Sequence, residues 1–273
     1  MAESYFNLDG KHIIITGAAG LLGCEHAKAI AEFKGIPILL DLNHSDLIKL
    51  QIEIEENYGI KSIFFVCDIT SERDLKSVCE EILKSKIEIY GLINNAARNP
   101  KVEDHDFSIN RIESLDLKEL EKDISVGLIG ATLCAKYFGT LISKNKKGGV
   151  IINISSDLGL ISPDQRIYQD NNSDDIQSVK PVSYSIIKSG IIGLTRYLST
   201  YWCDNNVRCN AICPGGIENN QPTEFKKKLN RLIPLNRMAQ KDEYKATIIW
   251  MLSSKNEYLN GSIVSVDGGR TVW

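Results

Sequence analysis

The chain is poor in the features that mark a metal centre, a disulfide scaffold or a nucleic-acid groove. Its seven cysteines, at positions 24, 67, 79, 134, 203, 209 and 213, are scattered, form no CxxC pair and have no histidine spacing suited to zinc. They read as free core thiols, and no metal is expected. The 32 basic residues are outnumbered by 35 acidic ones, so the net charge of −3 leaves no global basic field of the kind a dedicated nucleic-acid binder needs. The short run Lys226, Lys227, Lys228 reads as a solvated helix face. A signal segment and an apolar run of membrane-spanning length are both missing from this reading. The expectation is a soluble cytoplasmic protein in a reducing compartment, with neither a membrane nor a nucleic acid as partner.

What the chain does have is alternation. Short β-rich runs, "HIIIT" (12–16), "IPILLD" (36–41), "SIFFVCD" (62–68), "IYGLINN" (89–95), "GVIINIS" (149–155), "VRCNAIC" (207–213) and "SIVSV" (262–266), recur between helical patterns. Runs without in/out alternation suit strands buried on both faces. Helices fit near 21–33, 44–57, 71–85, 116–143, 182–204 and 240–253. The predicted fold is α/β: a Rossmann-type, doubly wound parallel sheet of about seven strands with helices on both faces. The 273 residues, undivided by linker or repeat, are expected to form one domain. Segments 97–115, 157–181 and 214–236 read as loops, all after strand C-termini, where open α/β sheets bind ligands.

"TGAAGLLG" (16–23) follows the first predicted strand and opens the first helix. Gly17, Gly20 and Gly23 allow a tight turn and close approach to a pyrophosphate at a helix N-terminus. A glycine turn alone is a weak signal. Asp41 ends the second strand, 24 residues after Gly17, where a carboxylate can accept hydrogen bonds from a ribose diol and repel a 2′-phosphate. NAD is therefore expected over NADP, although a strand-end turn carboxylate is the plainer reading of Asp41. In "YSIIK" (184–188), Tyr184 and Lys188 stack on one helix face at the border of an apolar stripe through Ile187, Ile191, Leu194 and Leu198. By themselves they are as well explained as snorkelling residues.

Together these pieces resemble the short-chain dehydrogenase/reductase family over nearly the whole chain. The opening "LDGKHIIITGAAGLLG" is similar to the family's first strand and cofactor turn, "LINNAA" (92–97) to its fourth-strand motif, "INISS" (152–156) to its serine motif and "YSIIK" to its YxxxK. "VRCNAICPGG", "IPLNRMAQKDEY" and the closing "VDGG" follow in the family's order. The middle insertion and the "GGRTVW" ending resemble a subgroup associated with bacterial surface-sugar and flagellin modification. The resemblance implies Tyr184 as the acid or base, Lys188 as the positive charge that acts on the phenol and binds the nicotinamide ribose, and Ser156 as the group that orients the carbonyl, with Ser155 the alternative because strand register decides. It implies cofactor contacts at Gly17, Gly20, Leu21, Leu22, Gly23, Asp41, Asp68, Ile69, Asn94, Ala96, Pro214, Gly215 and Ile217, besides Tyr184 and Lys188. A homodimer or homotetramer formed through the fourth and fifth helices is implied as well.

Three positions depart from the family pattern. Leu21 stands where the cofactor turn usually has a glycine. Gly127 stands where many members have an asparagine that holds a proton-relaying water, leaving water or backbone to serve. The spacer of 28 positions between Ser156 and Tyr184 is long, and its excess, within 161–182, is polar. That excess implies a small polar substrate, carbohydrate-like or phosphorylated, with Gln165 and Arg166 as candidate contacts; Arg98, directly after "NNAA", is another, and 214–236 reads as a lid. The expected activity is alcohol–ketone interconversion on such a metabolite, in the manner of a sugar derivative of surface-glycan synthesis. The alternatives are a 3-oxoacyl-carrier-protein reductase and a cofactor-binding sensor or partner subunit with little catalysis.

Overall fold

The computed structural model describes residues 5–98, 110–169 and 178–273. Seven parallel strands, β1 (His12–Thr16), β2 (Ile36–Asp41), β3 (Ile63–Val66), β4 (Ile89–Asn94), β5 (Gly149–Ile154), β6 (Val207–Pro214) and β7 (Ile263–Val266), lie in the order β3-β2-β1-β4-β5-β6-β7. Isoleucine-rich runs suit these strands because branched side chains pack on both pleated faces. Ile13, Ile15, Leu39, Ile93 and Ile152 point into one core, with α1 (Leu21–Glu32), α2 (His44–Tyr58) and α7 (Lys245–Leu252). Their neighbours Ile14, Ile38, Leu92 and Ile151 point into the other, with α3 (Glu72–Lys84), α4 (Leu117–Ile142) and α5 (Val182–Tyr201). The order reverses at β1 and β4, which opens a crevice at the strands' C-terminal edge.

Three features differ from the sequence reading. One 18-residue window of α4 has a mean hydropathy of 1.4, so by length and composition that helix could cross a membrane. Its apolar residues are spread between glycines and Lys136 rather than gathered in a block, and Cys134, Phe138 and Ile142 share a core with Leu92 and Ile151. The helix also widens to i→i+5 hydrogen bonding in Ser125–Gly130 and Ala135–Gly139, which periodicity does not reveal. Segment 214–236 contains a helix, α6 (Thr223–Asn230), whose apolar stripe is too short to stand out. Its Leu229 joins Ile233 and Met238 in a small core with Phe225 and Ile167. Tyr168 packs on Phe225 at 5.4 Å, and Lys228 donates to the Gln169 carbonyl, so the described part of the long insertion and α6 hold each other. Most of the acidic stretch "QDNNSDD", and 99–109 of the first loop, lie outside the described residues.

Candidate active site

The β1 side of the crevice is built mainly from backbone. Gly17 sits at φ 62°, and a Cβ there would lie 2.9 Å from Ala96 Cα. At Gly23 a Cβ would lie 2.1 Å from the Gly17 carbonyl oxygen, closer than atoms can approach. The turn therefore needs glycine at both positions. Asn95 clamps it, donating through Nδ2 to the carbonyls of Thr16 (2.9 Å) and Gly17 (3.0 Å), while Thr16 Oγ1 accepts the amides of Asn95 and Ala96. The N-cap of α1 is Gly20, which has no side chain to close the first-turn amides of Leu21, Leu22 and Gly23. Open donors and the helix dipole together suit a phosphate. At the end of β2, Asp41 accepts from the amides of Ala19 (3.0 Å) and Asn43 (3.2 Å), which holds its carboxylate beside the turn.

Farther along the same edge, Asp68 accepts from the Thr70 amide and hydroxyl, and Ile69 is buried against Gly130 of α4. Asn94 donates to Asn153 Oδ1 at 2.8 Å, and Asn153 donates to Thr195, tying β4 and β5 to α5. The Oδ1 of Asn94 is buried without a partner. Pro214 ends β6, Gly215 donates to the Val266 carbonyl at 3.0 Å, and Ile217 bridges to Ala239. A glycine cradle that a Cβ at Gly17 or Gly23 would fill, an orphaned amide oxygen and a carboxylate beside the turn form a donor and acceptor set that fits a nicotinamide dinucleotide.

The other side is built from buried and half-buried side chains. Tyr184, Ser156 and Asp157 line a cavity of about 240 Å³ that runs from Leu21, Gly215 and Ile217 to Tyr168, Lys180 and Arg270. The two serines divide their tasks: Ser155 donates to the Lys188 carbonyl at 2.7 Å, whereas Ser156 faces the cavity and donates to Asp157 at 2.8 Å. Lys188 is buried and donates to the Ile154 carbonyl at 2.9 Å. Burial, with Lys180 adding to it, lowers Lys188 to about 8. Burial raises the Tyr184 phenol; the Ser156 hydroxyl draws it back and Asp157 pushes it further up. In this state burial outweighs any help the phenol has from Lys188, whose ammonium lies 5.7 Å from the ring centroid.

Several of the expected contacts sit elsewhere. Arg166 is 83% exposed and forks onto Asp164 at 2.7 and 2.8 Å, outside the cavity lining. Gln165 accepts from the Lys180 amide at 2.8 Å and so braces the start of α5. Arg98 pairs with Glu119 (3.0 Å) and Asp123 (3.2 Å), and Asp123 also accepts from Ser183. Gly127 is a close-approach glycine: a Cβ would meet Ile187 Cγ2 at 2.6 Å, so a larger residue would push α4 off α5. It helps line a space of about 10 Å³ behind Tyr184 and Lys188, roughly room for one water. Sequence reasoning missed Lys180, Asp157, Tyr168 and Arg270. Lys180 lies four residues before Tyr184 with its ammonium 3.9 Å from the ring centroid. The i, i+4 spacing was a usable signal, hidden because Pro181 places Lys180 just outside the helix.

Comparison with known proteins agrees with this geometry. A family model described as enoyl-(acyl carrier protein) reductase matches residues 17–271. An "uncharacterized oxidoreductase" of Thermotoga maritima is 28% identical, over 97% of this chain and 99% of its own. The "post-translational flagellin modification protein A" of Campylobacter coli is also 28% identical, over 96% of this chain and 98% of its own. A short-chain dehydrogenase from Leptospira borgpetersenii, solved with bound NAD+, superposes with a TM-score of 0.85 at 26% identity, over 99% of this chain and 97% of that one. With a family match over residues 17–271 and a parallel sheet that superposes on a solved short-chain dehydrogenase, the chain belongs to the short-chain dehydrogenase/reductase family and is an NAD(P)-dependent oxidoreductase.

Proposed function

We propose that this protein is an NAD-dependent enzyme that interconverts an alcohol and a ketone on a small polar metabolite. The observation that carries the reading is one cavity, at the C-terminal edge of the sheet, that has Tyr184 and Ser156 on its wall and reaches Leu21 of the glycine turn and Gly215 and Ile217 after β6. The bound cofactor supplies or accepts the hydride. In reduction Tyr184 donates its phenolic proton to the carbonyl oxygen, and in oxidation it takes the proton from the alcohol. Ser156 donates to that oxygen and orients it, and Lys188, held by Ile154, keeps a positive charge behind the phenol. Asp41 supports NAD over NADP, because a 2′-phosphate beside it would meet a carboxylate.

The substrate side supports a polar ligand. Lys180, Asp157 and Arg270 are charged groups on its wall, which a fatty-acyl chain would leave desolvated and unmatched. The relation to a flagellin modification protein supports a sugar derivative of surface-glycan synthesis as the metabolite. Exposed Ile129 on α4 and Ile186, Tyr197 and Tyr201 on α5 support assembly as a homodimer or homotetramer through those helices. The seven free thiols suit the cytoplasm. Absorbance at 340 nm, followed while NADH or NADPH is offered with a panel of sugar ketones and 3-oxoacyl thioesters, tests the reading. Turnover of the polar ketones is expected; turnover of the thioesters alone, with NADPH, would replace it by an acyl-carrier reductase.

A further inference from the structure

Arg270 is the buried charge that the reaction leaves unused. It follows two glycines in left-handed conformation in a turn that Asp267 stabilises by accepting from Gly269, Thr271 N and Thr271 Oγ1. Only 8% of Arg270 is exposed, its side chain lines the substrate cavity, and its Nε is buried without a hydrogen-bond partner. Among the described residues no carboxylate reaches ion-pair distance of its guanidinium. The acids whose charge is felt nearby are engaged elsewhere: Asp164 by Arg166, Asp267 by its own turn, and Asp157 by the Ser156 hydroxyl and the Leu158 amide. Lys180, the other cavity cation that the reaction does not require, stands over the face of Tyr184.

A buried guanidinium with no carboxylate paired to it is unfavourable, and a bidentate oxyanion removes that penalty. We propose that Arg270 and Lys180 form an anion subsite of the substrate cavity, so that the carbonyl compound turned over carries a carboxylate or phosphate remote from the reacting carbon. Asp157, beside the reacting centre, is then the acceptor for a substrate hydroxyl. This rests on the oxidoreductase reading and goes beyond it by giving the substrate's charge. It also moves anion recognition from the exposed Arg166 to the turn that precedes the C-terminus.

The test is calorimetric titration of the full chain, saturated with cofactor, with matched probes: gluconate against glucitol for the carboxylate, and glucose 6-phosphate against glucose for the phosphate. At least one anion should bind about tenfold or more tighter than its neutral counterpart. That ratio should collapse toward one in Arg270→Gln and fall in Lys180→Gln, with thermal melting confirming that each variant is folded. Either anionic arm supports the subsite and identifies its chemistry. Equal binding of charged and neutral probes, or a preference that survives both substitutions, overturns it while leaving the cofactor reading intact. Absence of any cofactor binding by the native chain would remove the oxidoreductase reading and the subsite with it.

Discussion

Along the β1–β4 edge the crevice is shaped by backbone: glycines with no room for a Cβ, open helix amides, and Asn95 clamping two carbonyls. Along β5–β7 it is shaped by buried and half-buried side chains drawn from far apart in the chain, with Asp157, Lys180, Tyr184 and Arg270 lining one cavity. A dinucleotide is the same molecule for every enzyme that uses it, and a backbone cradle recognises it with little dependence on neighbouring side chains. A substrate is particular, and side chains are what particularity requires. Substitutions on the two sides should therefore fail differently.

The largest expected effect lies on the side-chain edge. Tyr184→Phe should lower kcat by about 10³-fold, within the range for a lost general acid, while NADH affinity stays within about threefold. A variant that keeps even a tenth of native turnover would remove Tyr184 from the chemistry. On the backbone edge, Gly23→Ala drives a methyl against the Gly17 carbonyl and should weaken NADH binding by roughly tenfold to a hundredfold through a backbone shift costing about 1–3 kcal/mol. Fluorescence titration reads that loss directly, and native affinity would show that the turn is not the cradle.

The α1 helix behind the cradle carries His26, fully buried and lowered to about 4 from 6.5 by burial, against a weaker upward pull from Glu25. The unfolded chain takes up this proton first, so His26 leaves stability intact above pH 6.5 and erodes it as the pH falls toward 4. The loss amounts to about 3 kcal/mol. Urea midpoints should drop across that window in the native chain and less steeply in His26→Leu; parallel curves would locate acid lability elsewhere. The smallest effect is on the side-chain edge. Lys188, lowered to about 8 by burial and then by Lys180, loses its charge as the pH rises through that value. Lys180→Met removes the second cause and should move the alkaline limb of kcat/KM upward by roughly half a unit. An unmoved limb would mean that the limb does not report Lys188.

The same contrast explains what could be read in advance. β1 and β2 were legible because a strand buried on both faces writes itself as a nearly continuous apolar run. The glycine turn and the Tyr184–Lys188 pair are local patterns, and local patterns survive in a sequence. Arg270, by contrast, comes to line the same cavity as Asp157 only because the chain returns through β6 and β7, and nothing in "GGRTVW" records that placement. Arg166 carried an obvious charge in the right segment, yet Asp164, two residues away, pairs with it at the surface. Helix α6 escaped notice because its packing partners Ile167 and Tyr168 are remote in sequence. Asn95, whose clamp closes the turn, was legible as part of "NNAA" but not as the residue that does the clamping.

The most direct test of the account is an NADH and NADPH fluorescence titration of the native chain and of Asp41→Ala. Saturable NADH binding, tighter than NADPH by about tenfold or more and losing that preference in the variant, is the predicted result. Preference for NADPH in the native chain, or no saturable binding of either dinucleotide, would contradict it.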